Sequence, residues 1–187
     1  VGAGETFAEC ICRGLQSSLD TEFGNKEFNQ EKLVSMQLAD VDDERCRYYL
    51  QGLTRLQGDP IIALGEEVSG FPVVWAGTSD GWSGAVGLNV TIALRNALQK
   101  AIMKVQNQTV CLTAPDLVAS SILKEKKVNL VIPSCEVTGN SEVVQTAIQV
   151  LKKNKKRIFV FELELEPFFK EELAGVFGVF LREEESG

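Results

Sequence analysis

The hydrophobic pattern changes period several times along the chain. Phe7, Cys10, Ile11, Leu15, Ser18 and Leu19 recur at helical spacing after a Gly-Ala-Gly lead, and Thr6 can cap them, so a helix is predicted over about 6–22. Lys32 to Leu38 alternates as a strand. Asp42 or Asp43 can then cap a second helix with Cys46, Tyr49, Leu50, Leu53 and Leu56 on its apolar side, ending at Gly58. Pro60–Leu64 and Phe71–Ala76 read as strands, and the Gly77–Gly87 stretch reads as a hairpin with Gly at 77, 81, 84 and 87. That stretch lacks both GxxxxGK and the strand-to-helix placement of GxGxxG, so it does not read as a phosphate cradle.

The second half repeats the alternation. A strongly amphipathic helix runs from Thr91 to about Gln106, with Ala93, Leu94, Ala97, Leu98, Ala101, Ile102 and Val105 on one side. A short strand at Val110–Leu112, a helix from Pro115 to about Lys124, a strand at Val128–Ile132, a helix from Ser141 to about Lys153, and strands at Arg157–Phe161 and Val176–Leu181 follow. The predicted class is α/β (α+β), mixed sheets packed by helices. An offset of 83 places Gly4 on Gly87, Ile11 on Leu94 and Leu15 on Leu98, and an offset of 94 places Val34 on Val128. A weak helix–strand–helix–strand–strand duplication results, with pseudo-repeats at about 4–80 and 87–182 of a single domain spanning 1–187.

Composition narrows the chemistry. The 187 residues contain no histidine, which removes His-served nucleophiles, His-ligated metals and the usual neutral-pH switch. The five cysteines stand at spacings that match no zinc or redox motif. Cys10 and Cys12 would point about 200° apart on a helix, so they read as small buried hydrophobes in a reducing compartment. No signal peptide and no membrane-spanning run is present, so a cytoplasmic protein is expected, and the sequons at Asn89 and Asn107 carry no meaning there. A start at Val1 without Met suggests a fragment of a longer protein.

The net charge of −7 is unevenly spread. Residues 95–157 hold 11 basic and 4 acidic side chains, net +7, and the rest hold 8 and 22, net −14. Nucleic-acid binding is disfavoured. Glu162, Glu164 and Glu166 share one side of a strand, and read as its wet end or as an edge guarded by like charge rather than as a cation site. Lys152–Arg157 reads as a helix C-terminus complementing the dipole, and Glu183–Gly187 as a solvated end. Trp75 and Trp82 are expected to fill the core beside the glycine hairpin.

Three stretches resemble a known family. Gly4-Glu5-Thr6-Phe7-Ala8-Glu9-Cys10-Ile11-Cys12-Arg13-Gly14-Leu15-Gln16-Ser17-Ser18-Leu19-Asp20-Thr21 resembles the helix of YcaO-type cyclodehydratases, where a Gly-rich lead, an E-A pair and a G-L precede a Glu, two residues and Glu-Arg. Phe71-Pro72-Val73-Val74-Trp75, Gly84–Gly87 and Ala93–Ala101 resemble that family's P-V-V, G and A-L-x-R-A-L-x-E-A segment, and Val150–Leu181 resembles its later helix–strand–strand unit. The resemblance implies an enzyme that uses ATP and magnesium to activate a peptide amide oxygen for cyclisation to an azoline. Each family ligand position differs here: Ser17 and Asp20 stand for the two Glu, Thr21 for the Arg, Asn96 for the later Arg and Lys100 for the later Glu.

Two lost carboxylates and a Lys where a cation would sit replace attraction with repulsion. The expectation is therefore a non-catalytic YcaO-like module in maturation of a thiazole- and oxazole-containing bacteriocin peptide, with no catalytic residues, no metal and no cofactor. ATP and magnesium enter only if the family activity survives with altered ligands drawn from Glu9, Asp20 or Glu22. The implied partners are a precursor peptide or other maturation subunits, with no nucleic acid, no membrane and, from the family, a homodimer. An unrelated α/β protein-interaction domain is the remaining alternative.

Overall fold

The structure, a computed structural model, describes residues 1–107, 124–135, 141–164 and 174–183. Its elements run β1 (Gly2–Gly4), α1 (Phe7–Gly24), β2 (Val34–Val41), α2 (Glu44–Gln57), β3 (Ile61–Leu64), β4 (Val73–Thr78), β5 (Gly81–Val86), α3 (Val90–Asn107), β6 (Lys124–Ile132), α4 (Ser141–Lys153), β7 (Lys156–Glu162) and β8 (Gly175–Glu183). The fold is α/β (α+β), and the order helix–strand–helix–strand–strand occurs twice, as α1-β2-α2-β3-β4 and α3-β6-α4-β7-β8. The expected strand at Val110–Leu112 and the helix from Pro115 lie outside the described residues, as do Cys111, Glu166 and Glu184–Gly187. Among the described residues, no helix is long and apolar enough to cross a membrane.

The chain divides into two compact units, one of Val1–Lys26, Val68–Phe71 and Glu136–Gly187, the other of Glu27–Glu67 and Pro72–Cys135. In the second unit the strands order β5-β4-β3-β2-β6, with β6 parallel to β2 and the other pairs antiparallel. Met36, Ile62, Val74, Ala76 and Ala85 face one way from this sheet and bury against Cys46 and Leu53 of α2 and Ala93, Leu94, Ala97, Leu98 and Ala101 of α3. The run of alanines keeps α3 slim where it packs on the sheet. β4 and β5 form the expected hairpin, and Gly81 takes a φ of +101° at its turn, a value only glycine adopts without strain. The β2 strand starts two residues later than its alternation suggests, because Asn29 caps a 3₁₀ turn at Gln30–Lys32 and accepts from the Glu31 N–H at 2.9 Å.

Trp75 and Trp82 differ from expectation. They are half-buried on the sheet face opposite α2 and α3, beside Leu33 and Ala63. Each ring lies where glycine leaves room: a Cβ on Gly84 would sit 2.6 Å from the Trp75 ring, and one on Gly77 would sit 2.9 Å from the Trp82 ring.

In the first unit β1, β8 and β7 form an antiparallel sheet. Thr6 caps α1, accepting from the Glu9 N–H at 3.2 Å, and Cys10, Ile11, Cys12, Leu15 and Leu19 are buried. Ser18 donates from Oγ to the Val179 carbonyl of β8 at 2.6 Å, and a Cβ on Gly14 would meet Val179 at 2.4 Å. The α4 residues Ala147 and Leu151 complete this core. The strand ahead of each first helix pairs with the last strand of the other succession: β1 with β8, and β5 with β4.

Candidate functional site

The positions that the family resemblance singles out fall on two helices. Burying Cys10, Ile11, Gly14, Leu15 and Leu19 turns Ser17, Asp20 and Thr21 of α1 outward, and all three are exposed. Thr21 donates from Oγ1 to the Ser17 carbonyl at 3.0 Å, and Gln16 donates from Nε2 to Asp20 Oδ1 at 3.2 Å. On α3, Asn96 is half-buried and Lys100 is exposed, with Nζ donating to the Gly84 carbonyl at 3.2 Å. The α1 trio belongs to the first unit and the α3 pair to the second.

On neither helix do these side chains supply the donors that suit magnesium and nucleotide. A hard cation bridging phosphates wants several carboxylate oxygens, and phosphate wants guanidinium or backbone N–H groups. One carboxylate, one amide, two hydroxyls and an ammonium supply neither. The other carboxylates of the first helix are engaged in ways that suit structure. Glu9 accepts the Glu5 N–H at 2.9 Å and pairs with Arg13 one turn on. Glu22 accepts from Ser69 Oγ at 2.6 Å and Lys156 Nζ at 2.9 Å. Partial burial opposes its ionisation, but the Ser69 and Lys156 hydrogen bonds and the Lys156 charge prevail and lower its carboxyl below the ordinary value. Among the described residues, no three His, Cys, Asp or Glu side chains converge as metal ligands.

A tightly built polar cluster lies elsewhere, in the second unit. Asp43, which caps α2, is 3% exposed. Its Oδ1 accepts the Cys46 N–H at 2.9 Å, while its Oδ2 accepts from Arg95 Nη2 at 2.6 Å and from the Cys135 N–H at 3.3 Å. Arg95 also donates to the Cys135 carbonyl at 2.9 Å, and Thr91 donates from Oγ1 to the Pro133 carbonyl at 3.0 Å. Asn89 caps the next helix by accepting the Ile92 N–H at 2.9 Å, and its Nδ2 lies 3.5 Å from Cys135 Sγ. The start of α2, the first turns of α3 and the segment leaving β6 are thereby tied at one carboxylate.

Burial works against the Asp43 charge, yet the Arg95 guanidinium and the Cys46 and Cys135 amides outweigh it and hold the carboxyl down to about 2. The neighbouring Cys46 thiol moves the other way. Burial, then the Asp43 carboxylate beside it, push it up to about 12, so it is a packed thiol and not a nucleophile. Cys10 and Cys12 are likewise raised by burial and by Glu9. Sequence reading offered Asp42 or Asp43 as the cap, the structure has Asp43, and the ion pair was missed. The available signal was Arg95 itself, which sits with Thr91 and Leu98 at i, i+4 and i+7 on the apolar side of α3.

No family model matches the chain, and no curated protein matches it. The fold is nevertheless a distant heterocyclase-like one. A solved structure of the heterocyclase TruD aligns over 98% of this chain with a TM-score of 0.65 at 16% identity. At that identity the likeness is one of fold. The chain spans 29% of the length of TruD.

Proposed function

We propose that this chain is a non-catalytic YcaO-like module in maturation of a thiazole- and oxazole-containing bacteriocin peptide, serving as a docking surface for the precursor peptide or for partner subunits. One juxtaposition supports the reading. A heterocyclase-like fold covers 98% of the chain, yet the positions matching the family's metal and phosphate ligands carry Ser17, Asp20, Thr21, Asn96 and Lys100. On α3 the position that matches a family magnesium ligand carries an ammonium, Lys100, which repels a cation where a carboxylate would attract it. What the fold retains is shape.

The test is calorimetric titration of the protein with ATP, with and without magnesium. No saturable heat is expected at millimolar nucleotide. Magnesium-dependent binding, or ATP-dependent loss of water from an added Cys- or Ser-bearing precursor peptide, would overturn the proposal and favour a cyclodehydratase with altered ligands.

A further inference from the structure

Both tryptophans of the chain stand on one face of the five-stranded sheet, the face turned away from α2 and α3. Leu33 and Ala63 form its floor, and the two indoles lie half-buried over it. Phe28, in the stretch ahead of β2, packs against Trp75 with ring centroids 4.6 Å apart and is itself 47% exposed. The Trp82 Nε1–H is buried with no acceptor, a donor that packing for stability alone would have paired or replaced.

The rim of this aromatic face is acidic. Residues 27–33 supply Phe28 and Leu33, and residues 64–67 include Gly65, where a Cβ would lie 2.6 Å from Trp75 Nε1. These two stretches carry Glu27, Glu31, Glu66 and Glu67 against Lys32 alone, and Lys32 Nζ ties them together at 2.9 Å from Glu66 Oε2. Glu27 and Glu31 are exposed, and their carboxylates make no ion pair among the described residues. Ring faces beside unneutralised carboxylates suit one kind of ligand, a cation on an apolar stem. An ammonium or guanidinium is drawn to the ring quadrupole and to the carboxylates alike, while its methylene stem covers apolar surface. The same rim repels a polyanion.

We infer that this face docks a basic peptide segment, a Lys or Arg side chain lying along Phe28 and the indoles with its charge held by the carboxylates of the rim. The inference rests on the docking role proposed above and supplies the chemistry of the docked peptide. It needs neither nucleotide nor magnesium, so the calorimetric titration with ATP and the peptide titration below succeed or fail independently.

Trp75 and Trp82 are the only tryptophans in the chain, so their emission reports on this face directly. The experiment titrates the protein with an amidated peptide of alternating Lys and Gly, beside peptides in which Gln or Glu replaces Lys. A saturable change in tryptophan emission is expected with the Lys peptide alone. Its Kd should rise about three- to tenfold in Phe28→Ala and in Glu31→Lys. In Glu44→Lys, which makes the same change of net charge at the start of α2, it should rise less than about twofold. Phe28 and Glu31 are both exposed, and far-UV circular dichroism of the two variants should match the parent. Should Phe28→Ala fold poorly, the comparison of Glu31→Lys with Glu44→Lys decides. An emission that never changes, an equal response to the Gln peptide, equal weakening by Glu31→Lys and Glu44→Lys, or full affinity in a folded Phe28→Ala would each overturn the inference.

Discussion

Asp43 carries the sharpest consequences of any single side chain. Its carboxylate is shared by Arg95 and by the Cys46 and Cys135 amides, so removing it strands a buried guanidinium that already leaves Nε without a partner. Asp43→Ala is expected to cost about 3–5 kcal/mol in urea denaturation, as for other broken buried pairs. The acid limb follows from the same group. Its carboxyl is lowered from 3.8 to about 2 on folding, so its contribution is complete above pH 4 and fades as pH falls through 2. Denaturation midpoints of the parent should drop across that window more steeply than those of Asp43→Asn, and parallel slopes would refute the assignment. Thiol reactivity gives a separate check. Cys10, Cys12 and Cys46 are buried while Cys135 is half-buried, so a maleimide should label Cys135 first of these four at neutral pH, read by peptide mass mapping.

At the level of elements, the strongest local signals agree with the structure. The Thr6 cap, the Asp43 cap, the α3 stripe, the β4–β5 hairpin and α4 all appear where periodicity and capping chemistry place them. The misses are long-range. The β2 strand shifts because a local Asn29 turn takes its first residues, and Trp75 lies on the less covered sheet face, which alternation alone cannot tell from the covered one. The Arg95–Asp43 pair joins residues 52 apart, a contact no single-helix pattern contains. Gly87 shows how tightly elements meet: a Cβ there would lie 2.3 Å from the Ala93 amide nitrogen and 2.8 Å from the Asn89 carbonyl, all of it backbone at the α3 start. Gly87→Ala should therefore lower stability by about 1–3 kcal/mol in thermal or urea unfolding. Near-parent stability would mean that the α3 entry yields.

For the whole molecule, the two units differ in how their sheets are covered. The β4 residues Val73, Val74 and Ala76 are at most 1% exposed between two neighbouring strands, whereas among the described residues β7 pairs with β8 alone. Amide exchange is expected to be slowest in β4 and α3 and faster in β7. Uniform exchange across both sheets would contradict this picture. The fold class was readable from the sequence because helical and strand periods alternate cleanly. The partition into units was not, since Val68–Phe71 joins the first unit from within the second.

The pairing of Gly2 with Phe177 also sets an order of events during synthesis. The second unit has all its strands and helices once the chain reaches Cys135. In the first unit β1 and α1 precede the whole of the second unit along the chain, but β1 finds no neighbour until β8 is made. Cys10, Ile11 and Leu15 therefore wait longer for their sheet than the apolar faces of α2 and α3 do.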